Sequence, residues 1–125
     1  MIRPSIMTMK LQFCFSFLVI FVQSLCAQTE YALHHYSRSQ GMTDSYITGI
    51  TEDSTGKMWI STAFGVNVFD GSHFEQYTVE ESQYHNLIRN DIQTVYSDKS
   101  NRIWIAGFNG TIQTYNAKFD RFDNV

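Results

Sequence analysis

A chain of 125 residues with 43% hydrophobic and 15% aromatic residues has room for one packed domain and is too apolar for a disordered segment. Its formal net charge of −3 leaves no basic excess to neutralise phosphates, so nucleic acid is not an expected partner. The distribution of charged and apolar residues changes sharply after about residue 27.

Residues 1–27 have the composition of a secretory signal peptide. Arg3 and Lys10 give a basic start without any acidic residue, an apolar run follows, and Ala27 is the small residue after which cleavage is expected. Two alternatives remain for this segment, an uncleaved membrane anchor and lipidation at Cys26. The apolar run is short for a membrane span, so cleavage and export are the favoured interpretation.

Both cysteines, Cys14 and Cys26, lie in this N-terminal segment. The expected mature chain, 28–125, therefore has no thiol for a disulfide, a metal site or a nucleophile. An exported protein without disulfides fits a bacterial periplasm better than a small disulfide-stapled secreted domain. We therefore expect the mature chain to be periplasmic.

The mature chain repeats one pattern at an offset of 45 residues. The aligned pairs are Ile47 and Ile92, Asp53 and Asp98, Lys57 and Arg102, Trp59 and Trp104, Gly65 and Gly110, Phe74 and Phe119, and Tyr77 and Phe122. A partial third copy comes first, because Leu33 and Tyr36 have the spacing of Phe74 and Tyr77. We therefore expect an outer strand at about 31–37, ahead of two complete copies.

Each complete copy contains four short runs rich in Ile, Val, Thr and aromatic residues, separated by turn residues. We predict strands near 47–52, 57–62, 66–70 and 73–78, and near 92–97, 102–107, 111–116 and 118–123. Four short antiparallel strands in a repeat of this length are typical of a β-propeller blade.

The predicted fold class is therefore all-β. It is a partial β-propeller of two four-stranded antiparallel blades, at about 47–78 and 92–123, with an N-terminal outer strand and a preceding signal peptide. A propeller ring normally has about four to eight blades, so we expect the chain to be the front part of a larger ring.

These motifs resemble the two-component regulator propeller repeat. In the first copy the resemblance rests on Gly41-Met42, Ile47, Ile50, Asp53, Gly56, Met58-Trp59-Ile60-Ser61-Thr62, Gly65-Val66 and Phe69-Asp70. In the second copy it rests on Asp98, Trp104-Ile105, Gly107 and Gly110, while Asn101 replaces the turn glycine. The resemblance covers about residues 31–123.

The resemblance implies the N-terminal part of the periplasmic sensor of a hybrid two-component system histidine kinase from a gram-negative bacterium. In that family a signal peptide leads into propellers, a membrane helix and a kinase core, and the signals are associated with polysaccharide breakdown products. It therefore implies a non-catalytic ligand-sensing segment. Its expected partners are the remaining blades of a parent protein and an oligosaccharide, with membrane contact only through the signal peptide or the parent.

Several short patterns also suggest cofactor or metal sites. The stretch from Asp53 to Trp59 is close to the tryptophan docking motif of quinoprotein dehydrogenases and to the Asp-box of sialidases, but its spacing differs from both, so a turn capped by Asp53 is favoured. The adjacent pair His34-His35 would point to opposite faces of a strand, and His73 and His85 have no evident partner. No metal and no cofactor is expected.

The remaining candidates are carboxylates and aromatic residues. We expect Glu52-Asp53 and Glu80-Glu81 to be solvated turn residues rather than an acid–base pair. Trp59 and Trp104 are expected in the core. Tyr46, Phe64 and Phe108 are expected near strand ends, where they would either pack between blades or stack on a sugar. We predict no catalytic residue and leave the ligand residues unassigned. The alternative functions are a propeller enzyme of the lyase, glycosidase or quinoprotein type and a surface adhesion or scaffold propeller.

Overall fold

The computed structural model describes residues 32–125, together with positions 9, 10, 12, 13 and 15. The predicted signal peptide therefore lies almost entirely outside the described residues, including both cysteines and the expected cleavage position. Residues His35–Val125 form one compact unit, and the fold described below is that of this unit. Within the described part of the chain, no helix is long and apolar enough to cross a membrane.

Eight strands form two antiparallel sheets in strict chain order. The first blade comprises β1 (Ile47–Glu52), β2 (Met58–Thr62), β3 (Gly65–Phe69) and β4 (Phe74–Tyr77), and the second comprises β5 (Ile92–Ser97), β6 (Ile103–Gly107), β7 (Ile112–Asn116) and β8 (Arg121–Asn124). The short helical elements are two 3-10 turns, Arg38–Gln40 and Val79–Glu81, and α1 (Ser82–His85). The all-β fold class and the two four-stranded blades are confirmed.

The middle strands of the first blade are buried on both faces, as a blade between neighbours requires. In β2 Trp59 is 3% exposed and its neighbour Ile60 9%, although successive side chains point to opposite faces. In β3 Val66, Asn67 and Val68 are all buried. The burial of consecutive residues in both strands therefore reflects two covered faces rather than one.

The inner strand of the second blade packs against the first blade. Gly49 makes this approach close, because a Cβ built there would lie 3.1 Å from the backbone N of Val95. Thr48 Oγ1 donates a hydrogen bond to the carbonyl oxygen of Ile92 at 2.8 Å, and Thr51 Oγ1 accepts one from the backbone N–H of Ser97 at 3.2 Å. The shared core consists of Trp59, Val66, Val68, Tyr77, Leu87, Ile92, Val95, Ile103, Ile105 and Phe122.

The predicted outer strand at 31–37 is not formed, since the described residues 32–37 have no regular secondary structure. A strand requires a paired backbone, and no described strand pairs with this segment. Tyr36 nevertheless packs as an outer-strand aromatic would. Its ring centroid lies 5.0 Å from that of Phe69 and 5.5 Å from that of Phe74.

The last strand was predicted wrongly, at 118–123 instead of 121–124, whereas the other seven agree with the structure within one residue. The chain turns before β8, and Asp120 adopts a positive φ of 50° at the end of that turn. Phe122 consequently pairs with Tyr115 across the sheet, as Phe74 pairs with Phe69. The aligned pairs Phe74–Phe119 and Tyr77–Phe122 are therefore wrong, because the second copy has a longer final turn.

Candidate functional site

Each blade has an aspartate that closes the turn between its first two strands and holds a tryptophan. Asp53 Oδ1 accepts hydrogen bonds from the backbone N–H groups of Thr55 at 2.8 Å and Lys57 at 3.2 Å, and Asp53 Oδ2 accepts one from Trp59 Nε1 at 2.9 Å. Burial acts to raise the pKa of Asp53, but these hydrogen bonds outweigh it and lower the pKa. The predicted turn capped by Asp53 is confirmed.

The second blade repeats this arrangement. Asp98 Oδ1 accepts hydrogen bonds from the backbone N–H groups of Ser100 at 2.8 Å and Arg102 at 3.0 Å, and Asp98 Oδ2 accepts one from Trp104 Nε1 at 2.9 Å. The backbone bond from Arg102 and the indole bond are the main causes that lower the pKa of Asp98. Because both blades use the aspartate in the same way, its role is to fix the turn.

The two tryptophans differ in burial. Trp59 is 3% exposed, and its ring lies 4.7 Å from that of Tyr115 and 6.1 Å from that of Tyr77. Trp104 is only half-buried, since the described chain has no third sheet to cover it. The guanidinium of Arg102 lies over its ring, 5.1 Å from the centroid. The expected core position is thus confirmed for Trp59 and only in part for Trp104.

Two tyrosine hydroxyls from different blades meet on one carboxylate oxygen. Tyr77 Oη donates to Asp120 Oδ1 at 2.8 Å, and Tyr115 Oη donates to the same oxygen at 2.6 Å. Burial is the main cause that raises the pKa of Tyr77, and it raises the pKa of Tyr115 to about 12. Both tyrosines therefore stay protonated at neutral pH and act as donors that join the two blades.

A cavity of about 350 Å³ lies between the two blades beside these tyrosines, at the end of the sheets where the Asp53 turn stands. Its floor is apolar and aromatic, and its rim is polar and exposed. We call it the interblade cavity. The residues that line it are Asp53, Thr55, Lys57, Trp59, Val68, Glu75, Tyr77, Asn101, Ile103, Tyr115 and Ala117.

Three exposed aromatic side chains lie at the opposite end of the sheets, which we call the aromatic end. Tyr46 precedes β1, and its carbonyl oxygen accepts a hydrogen bond from Ala63 N–H at 3.1 Å in the β2–β3 turn, next to Phe64. Phe108 lies in the corresponding turn of the second blade. Tyr46, Phe64 and Phe108 are 68%, 42% and 60% exposed, so the structure brings them to one end and leaves them open to solvent.

The structure also reveals a repeated docking segment before each blade that the sequence alignment missed. The backbone N–H of Thr43 donates to Asn67 Oδ1 at 2.8 Å, and that of Ile88, 45 residues later, donates to Gln113 Oε1 at 3.2 Å. The residue before each is apolar and buried, and the residue before that has a positive φ. The matched triplets are Gly41-Met42-Thr43 and Asn86-Leu87-Ile88.

The histidines and acidic loop residues do not converge. His34 and His35 belong to the segment without a strand, and His73 contacts Ser72, with His73 Nδ1 2.7 Å from Ser72 Oγ. His85 Nδ1 lies 2.8 Å from the carbonyl oxygen of Asp120. Within the described ranges no three His, Cys, Asp or Glu residues form a group that could hold a metal ion.

The two predicted carboxylate pairs lie in separate turns. Glu52 is exposed at the end of β1, while the capped turn holds Asp53. Glu80 Oε2 accepts a hydrogen bond from Asn90 Nδ2 at 3.1 Å and is exposed, and the side chain of Glu81 lies outside the described part. These positions agree with the expected turn and loop roles.

The segment that contains the first docking triplet and the Asp53 turn is similar to a known family. Residues 41–64 match the family described as Two component regulator propeller. The match lies within the first copy of the pattern. The resemblance noted in the sequence is thereby confirmed for the first copy of the pattern. No curated protein matches the chain.

Solved structures similar to the chain are extracellular domains of bacterial two component or one component systems. The extracellular domain of the hybrid two component system BT3049 from B. thetaiotaomicron is 28% identical, with a TM-score of 0.65 over 76% of this chain and 13% of its own. Two structures of the extracellular domain of BT4673 from the same organism are 26% and 25% identical, with TM-scores of 0.62 and 0.60. BT4673 is named a one component system in one and a hybrid two component system in the other.

The match to BT4673 covers 78% or 76% of this chain, depending on the structure, and 14% of that protein's resolved chain. The chain thus spans about one seventh of the structures that it resembles. The structural resemblance extends over about three quarters of this chain, and these relatives are named as components of two component or one component systems.

Proposed function

We propose that the chain is part of an extracellular, ligand-sensing propeller of a two-component system, exported to the periplasm of a gram-negative bacterium by its N-terminal segment. The observation that carries this proposal is the propeller repeat at 41–64, together with 28% identity to an extracellular two-component domain over 76% of the chain. The signal-peptide composition of residues 1–27 supports export.

The blades themselves are proposed to be non-catalytic, with signalling carried by a histidine kinase of the parent protein. The carboxylates that recur at the same position in both blades, Asp53 and Asp98, accept hydrogen bonds from backbone N–H groups of the turn and from an indole N–H. Hydrogen bonds lower the pKa of each, so neither is suited to act as a general acid at neutral pH. Their use in both blades supports a structural role.

Further blades are the proposed partners of this segment. The first blade receives Tyr36 on one side and the whole second blade on the other. The second blade, by contrast, leaves Trp104 half-buried and Ile112 48% exposed. An additional blade packed there would bury these apolar groups, which favours a larger ring.

An oligosaccharide is the proposed ligand, and the aromatic end is its proposed contact surface in these blades. Tyr46, Phe64 and Phe108 are large rings held on turns and left exposed, and flat aromatic faces with nearby polar groups suit the apolar faces of sugar rings. The ion pair between Arg89 and Asp91, at 2.6 Å, supplies charged donors and acceptors close to the same turns.

Calorimetry on the full-length protein tests this proposal with a panel of oligosaccharides of different sugar composition and linkage. We expect binding of at least one of them, and a loss of about tenfold or more in affinity when Phe64 or Phe108 is replaced by alanine. Phe119→Ala is the matched control, because Phe119 is 55% exposed in the β7–β8 turn at the other end. An affinity that the aromatic-end variants leave unchanged would place the ligand elsewhere.

A further inference from the structure

The interblade cavity carries two opposite charges that do not neutralise each other. Lys57 and Glu75 both stand on its exposed rim, and neither is in an ion pair among the described residues. Lys57 acts on Asp120 through space, as a minor cause of the lowered pKa of that carboxyl. One space of about 350 Å³ is thus presented with the Lys57 ammonium and the Glu75 carboxylate, while the Asp53 carboxylate in the same lining is already occupied by turn N–H groups and the Trp59 indole.

The second blade shows that the unpaired cation is a feature of the cavity and not of the repeat. Arg102 stands at the position equivalent to Lys57, and its Nε donates to Asp98 Oδ2 at 2.7 Å. In the first blade Asp53 Oδ2 receives the indole N–H, and Lys57 contributes only its backbone N–H to the carboxylate. The Lys57 ammonium is therefore left to the cavity.

The same comparison holds for the unpaired anion. Asp123 of β8 takes the place that Glu75 has in β4. Asp123 accepts hydrogen bonds from Arg121 Nε at 2.9 Å and from Asn116 Nδ2 at 2.7 Å. Glu75 has no such partner among the described contacts, although its side chain borders the cavity.

The floor of the cavity selects for an apolar group. Trp59, Val68, Tyr77 and Ile103 are buried there, and Tyr115 is half-buried. Ligand pockets have volumes of roughly 300–1,000 Å³, so a cavity of about 350 Å³ suits a small molecule rather than an oligosaccharide. The fitting ligand has one anionic group, one cationic group and a compact apolar body.

We propose that the interblade cavity binds a free amino acid with an apolar side chain. The carboxylate of the ligand pairs with the Lys57 ammonium, its ammonium group pairs with the Glu75 carboxylate, and its side chain covers the apolar floor. This site is separate from the aromatic end and does not depend on the proposed oligosaccharide. It would let the same propeller read a second kind of small molecule.

Calorimetry on the full-length protein with L-phenylalanine tests the proposal. We expect binding of L-phenylalanine and a loss of about tenfold or more with N-acetyl-L-phenylalanine, which lacks the cation, and with L-phenylalaninamide, which lacks the anion. Lys57→Met should weaken binding of L-phenylalanine by a similar factor while leaving the already weak binding of the amide unchanged. Glu75→Gln should weaken binding of L-phenylalanine by a similar factor while leaving the already weak binding of N-acetyl-L-phenylalanine unchanged.

The matched control is Lys99→Met, which removes an exposed lysine from the corresponding turn of the second blade that is not among the residues lining the cavity. It should leave L-phenylalanine binding unchanged. Ala117→Trp, at the cavity mouth, should abolish binding without a change in the circular dichroism spectrum. Absence of heat with L-phenylalanine, equal affinity for the three compounds, or full binding by both rim variants would each overturn the proposal.

Discussion

Replacing Trp59 with alanine tests the junction between the blades most directly. Its indole is 3% exposed, with the Tyr115 and Tyr77 rings 4.7 Å and 6.1 Å away, so truncation removes a large ring from the shared core. Such truncations lower the free energy of unfolding by about 3–5 kcal/mol. The change also removes the donor to Asp53 Oδ2 at 2.9 Å and leaves a partly buried acceptor unsatisfied. We therefore expect a loss in the upper part of that range.

Denaturant unfolding of the full-length protein measures this effect, with Trp59→Phe as a variant that keeps most of the ring packing. Trp59→Phe should lose about 1–3 kcal/mol, the cost of leaving the Asp53 acceptor without its donor. Trp104→Ala is the comparison in the second blade, where the ring is only half-buried, and it should cost less than Trp59→Ala. A Trp59→Ala protein with an unchanged unfolding midpoint, or a larger loss from Trp104→Ala, would refute the assignment of Trp59 as the interblade anchor.

Three further outcomes are expected. Gly65→Ala should lower the free energy of unfolding by about 1–3 kcal/mol or more, because φ is +104° and a Cβ would overlap the Tyr77 carbonyl oxygen. Gly110→Ala should cost less, since Gly110 has a φ of +84° but open space around it. Equal losses of the two variants in thermal melts would contradict the packing argument. Hydrogen bonds, led by those from the backbone N–H groups of the β3–β4 turn, lower the pKa of Asp70 to about 2, so its stabilising effect is present above the unfolded-state pKa of about 4 and is lost as pH falls toward 2. Asp70→Asn should therefore flatten this part of an acid-unfolding curve, and an unaltered curve would exclude the effect. Expressed alone, residues 28–125 should associate or be poorly soluble, and a monodisperse monomer by size-exclusion chromatography with light scattering would argue against exposed blade faces that need a partner.

The strands were predictable because their signals are local. Short runs of β-branched and aromatic residues between turn residues fixed seven of the eight strands within one residue. The eighth failed for an equally local reason. Asp120 adopts a positive φ of 50°, a conformation that is uncommon for non-glycine residues, so the residue type alone did not show that the turn continues to that point.

The docking triplets were missed although their signal was present. Met42 and Leu87 are 45 residues apart and both are buried, at 4% and 1% exposure. The residue before each has a positive φ, but it is Gly41 in one copy and Asn86 in the other. Asparagine is among the residues that adopt this conformation most readily after glycine, so the substitution preserves the geometry while hiding the repeat from a comparison of residue types.

The contacts that join the blades could not be predicted from spacing. Tyr77 and Tyr115 are 38 positions apart and Tyr77 and Asp120 are 43 apart, yet their polar atoms meet within hydrogen-bonding distance. Local patterns place each residue on a strand or turn but do not say which faces of two blades touch. The lining of the interblade cavity could not be predicted from spacing either. Lys57 lies in the β1–β2 turn and Glu75 in β4, and only the folded structure brings them to one cavity.

The aromatic contacts show how each blade associates with the chain segment before it. Tyr77 ends β4 and packs on the outer hairpin of the second blade, 5.8 Å from Tyr115 and 5.4 Å from Phe122. Tyr36 packs in the same way on the outer hairpin of the first blade. Each of the two blades therefore receives an aromatic ring from the chain segment before it. Such a head-to-tail interface joins two different faces. A row of blades that associate in this way covers every face only when the row closes into a ring. In the described structure the second blade covers one face of the first, whereas no described sheet covers the outer face of the second, which is the physical reason that Trp59 is buried while Trp104 is only half-buried.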